Sequence, residues 1–298
     1  MHRFYLPPER VGQASCLSPP PANKPDRPEA GSTLRLEGRE AHHALHVLRL
    51  KRGERVAVLD GIGNEFLCAV ENSLRDAVEL RVTRKNFIPP LPCSITLLQA
   101  IPKGKIIESI IQKAVELGVR RIVPLLTERV VTRLDASDAA DKQEKWRQVA
   151  IEAIKQCGAA WLPQIEPPTN LAEVLDRRPE TRSESGTGSS PSAFSLSTLR
   201  SRATAEDGQP SAFELSLVGS LQKECRHPRE VFREFDKNHH HLPESVAVWI
   251  GPEGDFTPEE LRWIQHSGAQ PVSLGPLTLR VETAAIYCLS ILNYELGL

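Results

Sequence analysis

Val246-Ala-Val-Trp-Ile-Gly-Pro-Glu-Gly-Asp-Phe-Thr-Pro-Glu-Glu-Leu261 is the stretch on which the reading of this chain turns. Its five opening apolar residues read as a strand buried on both faces, the kind found in parallel sheets. The strand runs directly into Gly251-Pro-Glu-Gly254, a tight loop whose glycines allow a ligand close to the backbone. Thr257 and Glu260, with Pro258 between them, then form a capping box with proline at the first helical position. In a parallel α/β sheet, ligands bind in the crevice beyond the carboxyl ends of the strands. A tight turn without a ligand has the same local pattern, so this loop alone does not decide function.

Two further strand exits resemble it. Ser273-Leu-Gly-Pro-Leu-Thr-Leu-Arg-Val-Glu-Thr-Ala284 turns at Gly275 and Pro276 after a strand read at Val272–Leu274, and Arg280, Glu282 and Thr283 open the last helix. Val218-Gly219-Ser220 follows the strand Leu215–Val218. Three glycine-bearing exits from neighbouring strands could converge on one cofactor. None carries the GxGxxG fingerprint, which disfavours a dinucleotide.

Upstream the same alternation of strand and helix continues, the signature of an α/β domain. Ser94–Ile101 and Arg121–Leu126 read as strands. Ile107, Ile110, Ile111, Ala114 and Leu117 recur at helical spacing before Gly118, a natural cap. A helix is expected from about Lys142 to Cys157. The last helix, from about Glu282, is apolar on most sides and must be covered, by its own core or by a second subunit. Residues 176–212 are low in complexity and read as a disordered insertion.

The N-terminal part has a different texture. Arg55–Asp60, Glu65–Val70 and the alternating Val78, Leu80 and Val82 are short strands separated by glycine turns, which suggests a small barrel partly wrapped by a helix at His42–Leu50. Residues 11–33, rich in Pro, Ala and Ser, read as a flexible loop, and Ile88–Pro92 as a linker.

Composition bounds the possibilities. The chain has 298 residues, 40% hydrophobic and 25% charged, which suits a globular protein of two domains. No apolar run approaches the roughly 18 to 20 residues that span a bilayer, and the N-terminus lacks the apolar core of a signal peptide. A cytoplasmic location is expected. Six cysteines without a CxxC pair fit free thiols in a reducing compartment. His42 with His46 and the run His239–His241 lack a third ligand at a metal-binding spacing, so no metal is expected. The run reads as part of a polar loop. The formal net charge of -1 hides an uneven distribution. Residues 103–133 hold seven basic residues against three acidic, a balance of +4; residues 244–298 hold two against seven, a balance of -5. A basic stretch of that kind suits a phosphate backbone, or is simply a solvated helix face.

Ile250-Gly-Pro-Glu-Gly254 and Leu274-Gly-(x3)-Leu-Arg-x-Glu-Thr-Ala284 together resemble the SPOUT-superfamily enzymes that methylate N3 of uridine in 16S ribosomal RNA. Further matches follow in order along the chain: His2-Arg-Phe-Tyr, His43-(x2)-His-Val-Leu-Arg49, Pro102-Lys-Gly104, Gln112-Lys-Ala-(x)-Glu-Leu-Gly118 and Glu152-Ala-(x2)-Gln-Cys157. The low-complexity stretches fall outside the resemblance.

That resemblance implies a PUA-like β-barrel RNA-binding domain over 1–86 and, over 93–298, an α/β methyltransferase domain with a deep trefoil knot. It implies S-adenosylmethionine held by Leu217, Val218 and Gly219, by Ile250, Gly251, Pro252, Glu253 and Gly254, and by Leu274, Gly275, Leu279, Thr283 and Ala284. It also implies a homodimer that completes each active site, with 16S RNA or the small ribosomal subunit as partner and neither DNA nor a membrane. Uridine N3 carries a weakly acidic proton that must be lost, so Glu282 is the candidate base and Arg280 the candidate stabiliser of developing charge. The alternative has Glu282 merely capping the helix and pairing with Arg280. Arg3, Arg49, Lys51, Lys103 and Lys113 are the expected phosphate contacts. The chain departs from the family pattern at Leu277 and Ala159, where a basic residue is usual, and at Val130, where serine is usual. Ribose 2'-O-methylation on the same scaffold, or RNA binding without catalysis, are the competing functions.

Overall fold

The computed structural model describes residues 1–13, 32–129, 136–176, 213–221 and 224–298. The loop expected at 11–33 and the insertion at 176–212 lie almost wholly outside the described residues, as do Cys16 and Val130.

The first sheet uses β1 (His2–Tyr5), β2 (Thr33–Glu37), β3 (Arg55–Leu59), β4 (Asn64–Ser73) and β5 (Ala77–Phe87), in the order β1-β3-β4-β5-β2. β1 runs parallel to β3 and the other pairings are antiparallel. Alternation decides which side chains go in: Val78, Leu80 and Val82 are buried, and so are Phe66, Cys68 and Val70 on β4. Two register shifts in the β4–β5 ladder increase its twist, and one core gathers residues from all five strands.

Two short helices accompany this sheet, α1 (Pro8–Gln13) and α2 (Gly38–His42), the latter continuing as a π-helical turn over His43–Val47. The helix expected at His42–Leu50 therefore begins four residues earlier and stops short of Leu50. Leu48 donates to the His43 carbonyl at 2.9 Å, and Arg49, at φ 53°, turns the chain away.

The second sheet is wholly parallel. Its strands are β6 (Ser94–Ala100), β7 (Arg121–Leu126), β8 (Gln164–Ile165), β9 (Thr169–Asn170), β10 (Leu215–Gly219), β11 (Ser245–Ile250) and β12 (Gln270–Val272). The order is β12-β10-β11-β6-β7-β8, with β9 also paired to β7. Helices cover both faces, so central strands are continuous apolar runs such as Val246–Ile250. Packed around it are α3 (Ile106–Glu116), α4 (Ala136–Cys157), α5 (Leu171–Asp176), α6 (Pro228–His239), α7 (Pro258–His266) and α8 (Val281–Leu296). One core cluster includes residues of α3, α4, α6 and α8; the cluster of the opposite face includes residues of α5 and α7.

Three elements differ from expectation. α4 begins at Ala136 rather than near Lys142. β12 ends at Val272, because it pairs with β10 only as far as Gly219, and Leu274 lies beyond the sheet. α6 occupies a stretch for which no element is expected, and its last residue belongs to the histidine run read as a loop. Val231, Phe232 and Phe235 give it a buried stripe at helical spacing, and each such burial is worth roughly 1.5–3 kcal/mol. That outweighs the poor helix propensity of its Asp, Asn and His residues. His239 is thus not in a loop: it ends α6 and stacks on Phe235, with ring centroids 4.3 Å apart.

β12 is gripped on both edges. Leu217–Gly219 pair with it on one side, and Arg226 bridges to Val272 on the other, donating to Pro271 and accepting from Ser273. Gly219 and Arg226 therefore straddle this strand.

The two sheets meet through polar and backbone contacts. The Gly61–Gly63 turn binds Ala160 and Leu162 through two backbone hydrogen bonds of 2.9 Å. Lys155 Nζ, almost fully buried, reaches Glu40 Oε1 at 2.8 Å and Glu152 Oε1 at 3.2 Å. Arg3 donates to the Gln156 carbonyl at the end of α4, at 3.1 Å.

Candidate cofactor crevice

β12, β10 and β11 are adjacent and parallel, so Gly219, Gly251 and the turn at Gly275 leave the sheet at the same end. Gly219 is where they meet. A Cβ built there would lie 3.3 Å from Ile250 Cδ1 and 3.4 Å from Leu274 Cδ1, so three exits share one point. Val218 and Leu217 are fully buried just below it, and Ala284 and Leu274 are half-buried beside the same core. Gly251 is packed tightly: a Cβ would lie 3.0 Å from Asp255 Oδ1 and 3.1 Å from the Phe256 nitrogen. Gly275, at φ 114° with open space around it, turns the third loop outward.

Ile250, buried, and Leu274, half-buried, flank Gly219 among backbone turns, and Gly275 is exposed beyond them. Apolar side chains edged by backbone amides and carbonyls are surroundings that suit a flat heteroaromatic group with polar edges. The acidic excess of residues 244–298 also suits a cationic ligand.

α7 starts as expected. Thr257 Oγ1 accepts from the Glu260 amide at 3.2 Å and Glu260 Oε2 accepts from the Thr257 amide at 2.8 Å, a complete capping box. The mouth of the third loop is exposed from Gly275 to Thr278, with Leu277 73% exposed. Leu279 is half-buried, Arg280 exposed and Thr283 exposed. Glu282 is half-buried in the first turn of α8, and Arg280 is the N-cap residue without a side-chain cap bond. The two side chains make no ion pair with each other. Pro252 is buried, whereas Glu253 and Gly254 are exposed.

The expected phosphate contacts are dispersed. Arg49 and Lys51 are exposed after the π-helical turn. Lys103 is exposed at the exit of β6, where its amide donates to Glu253 Oε1 at 2.9 Å, while Lys113 pairs with Glu116 at 2.9 Å on α3. Arg3 is half-buried, its guanidinium directed at the carbonyls of α4 instead of outward.

One cation at the crevice is not among the expected site residues. Arg129, after β7, donates to the carbonyls of Gly254 and Asp255. Its place in the basic stretch, just before the position where the family pattern has serine, does not say what it touches.

A family model described as an RNA methyltransferase domain matches residues 89–204 and 210–293, and another, an RNA methyltransferase PUA domain, matches residues 36–83. The chain belongs to the RNA methyltransferase family.

Relatives of this RNA methyltransferase include ribosomal RNA small subunit methyltransferase E of Bacillus subtilis, 27% identical over 268 residues, or 90% of this chain and 92% of the relative. The Synechocystis protein of the same name is 28% identical over 88% of this chain and 73% of its own length. Among solved structures, a methyltransferase from Legionella pneumophila with bound SAM superposes with a TM-score of 0.71 at 28% identity, covering 98% of this chain and 96% of that one. The Neisseria gonorrhoeae methyltransferase E bound to S-adenosyl methionine shares the fold at a TM-score of 0.71 and 24% identity, over 99% and 97% of the two chains. The fold is the one these methyltransferases share, and its N-terminal sheet holds the stretch that matches the PUA domain.

Proposed function

We propose that this chain transfers a methyl group from S-adenosylmethionine to N3 of a uridine in small-subunit ribosomal RNA. The meeting of the three strand exits at Gly219 carries the reading, supported by relatives that bear the name of that ribosomal RNA methyltransferase and by neighbours solved with SAM. Residues 1–86 hold the RNA and residues 93–298 hold the cofactor, in the compartment where ribosomes are assembled.

The bound cofactor supplies an electrophilic methyl on a sulfonium, so the protein's part is alignment, water exclusion and handling of one proton. Ile250 and Leu274 offer apolar surroundings, and the glycine turns offer backbone hydrogen bonds. Glu282, half-buried and free of an ion pair with Arg280, is placed to take the uracil N3 proton. Arg280, exposed two residues before it, stabilises the negative charge that develops on the base. A paired uridine hides N3 in its hydrogen bond, so the target is unpaired or flipped out.

The exposed face of α8 completes the picture. Thr283, Tyr287, Ser290 and Tyr294 follow one another at helical spacing, and Tyr294 is 75% exposed. This face lies beside Arg280 and Glu282, and a second copy covering it would close the open side of the crevice. Nucleoside analysis of small-subunit RNA from cells with and without the protein tests the assignment: loss of N3-methyluridine is expected, and an unchanged profile or loss of a 2'-O-methyl overturns it.

A further inference from the structure

The loop from Ile250 to Thr257 has to hold a definite shape to receive a ligand, yet little within it enforces one. Asp255 donates its amide to the Pro252 carbonyl at 2.9 Å, closing one turn. Asp255 itself sits at φ 61°, a conformation that residues other than glycine rarely adopt unless their surroundings require it. The restraint comes from outside the loop, from the exits of β6 and β7.

We propose that Arg129 and Glu260 are positioning residues that hold the Gly251–Asp255 turn in its cofactor-receiving shape; the inference rests on the methyl-transfer reading above. The Arg129 guanidinium donates to the carbonyls of Gly254 and Asp255, one before and one after the left-handed Cα. Its aliphatic stem packs there as well: a Cβ on Gly254 would lie 3.3 Å from Arg129 Cδ. Glu260 works from the opposite end of the loop. Its carboxylate is 5% exposed, and its two oxygens accept from two different amides: Thr257 at 2.8 Å, starting α7, and Glu128 at 2.8 Å, at the exit of β7.

Glu128 and Arg129 are adjacent, so one short segment grips the loop twice as a donor, through the Glu128 amide to Glu260 and through the Arg129 guanidinium to the loop carbonyls. Glutamine completes an ordinary capping box as well as glutamate does. It cannot replace Glu260 here, because its amide has one acceptor oxygen and would set an NH2 group against a backbone N–H donor. The double use of this carboxylate is what a simple cap does not require.

Calorimetry of the full chain with S-adenosylmethionine, without RNA, tests the proposal. Wild-type protein must bind the cofactor; if it does not, the methyl-transfer reading itself fails. Arg129→Ala is expected to weaken binding about tenfold, with Arg129→Lys between the two, and with a thermal midpoint close to wild type because the side chain is exposed. In turnover the effect should fall on KM for the cofactor, with kcat at saturation little changed. Glu260→Gln is expected to weaken binding at least as much, and its combination with Arg129→Ala to cost less than the two separate losses together. Wild-type cofactor affinity in folded Arg129→Ala overturns the proposal, whatever Glu260→Gln does.

Discussion

Gly219 and Arg226 lie on opposite edges of the same strand: Gly219 pairs with Val272 from one side and Arg226 bridges to it from the other. The chain therefore changes edge of β12 between these two residues, at the end where the three turns gather. A side chain at residue 219 would press on Ile250 and Leu274, so the close meeting of the turns depends on glycine there.

Gly219→Val separates space from strain. The backbone at 219 is not in the left-handed region, so a β-branched residue suits it, but its methyl groups would press on Ile250 and Leu274. Cofactor affinity should fall by tenfold or more, an estimate of about 1.4 kcal/mol per decade, with a modest change in thermal midpoint. Gly275→Val should behave in the opposite way. Nothing lies near its Cβ, but at φ 114° the backbone strain should cost about 1–3 kcal/mol. Calorimetry and urea unfolding of the two variants read the contrast.

Glu282→Gln should reduce single-turnover methyl transfer by roughly 100-fold or more, the usual contribution of a positioned general base. Cofactor binding should be little affected. Raising the pH ionises the uracil N3–H without help, so the variant should recover toward wild type at alkaline pH. An unchanged rate at neutral pH would remove Glu282 from the proton transfer and leave it as a helix-end carboxylate.

Lys155 joins the two sheets from a nearly buried position, with 7% of its side chain exposed and Glu40 only 14% exposed. Lys155→Met would leave the Glu40 carboxylate in a confined site without its cation. Breaking such a pair from one side costs about 3–5 kcal/mol when fully buried. The partial exposure of Glu40 and Glu152 reduces this to roughly 2 kcal/mol. Unfolding should occur at lower urea, and the two sheets should lose their common transition.

Tyr287 and Tyr294 should matter for association and not for folding, since both lie on the exposed face of α8. Tyr294→Asp should convert a dimer to monomers in sedimentation experiments and lower activity, with helix content retained. A wild-type protein that sediments as a monomer at micromolar concentration would refute the dimer.

Cysteine reactivity should follow burial. Cys288, inside α8, and Cys68, inside the first core, are both pushed up to about 12 by desolvation. The thiolate is the reactive form, so both should stay unmodified by a thiol reagent at pH 8 in the folded protein. Cys157, exposed at the end of α4, should react.

Local chemistry was enough to read several elements from the chain alone. Val246–Ile250 must be a doubly covered strand because it is apolar at every position, and Thr257, Pro258 and Glu260 start α7 by bonds confined to four residues. Gly251 and Gly275 mark their turns for the same kind of reason. α6 was also legible in principle, from Val231, Phe232 and Phe235, but its polar remainder masked the stripe.

The sequence by itself determined the strands, the capped helices and the three glycine turns, because each rests on interactions within one turn or one strand. Only the tertiary structure decided that Gly219 and Arg226 straddle β12, that Arg3 faces α4 and that Arg129 holds the carbonyls of Gly254 and Asp255. Those pairings join residues up to 153 positions apart, and no periodicity along a chain encodes which distant backbone a long cationic side chain will meet.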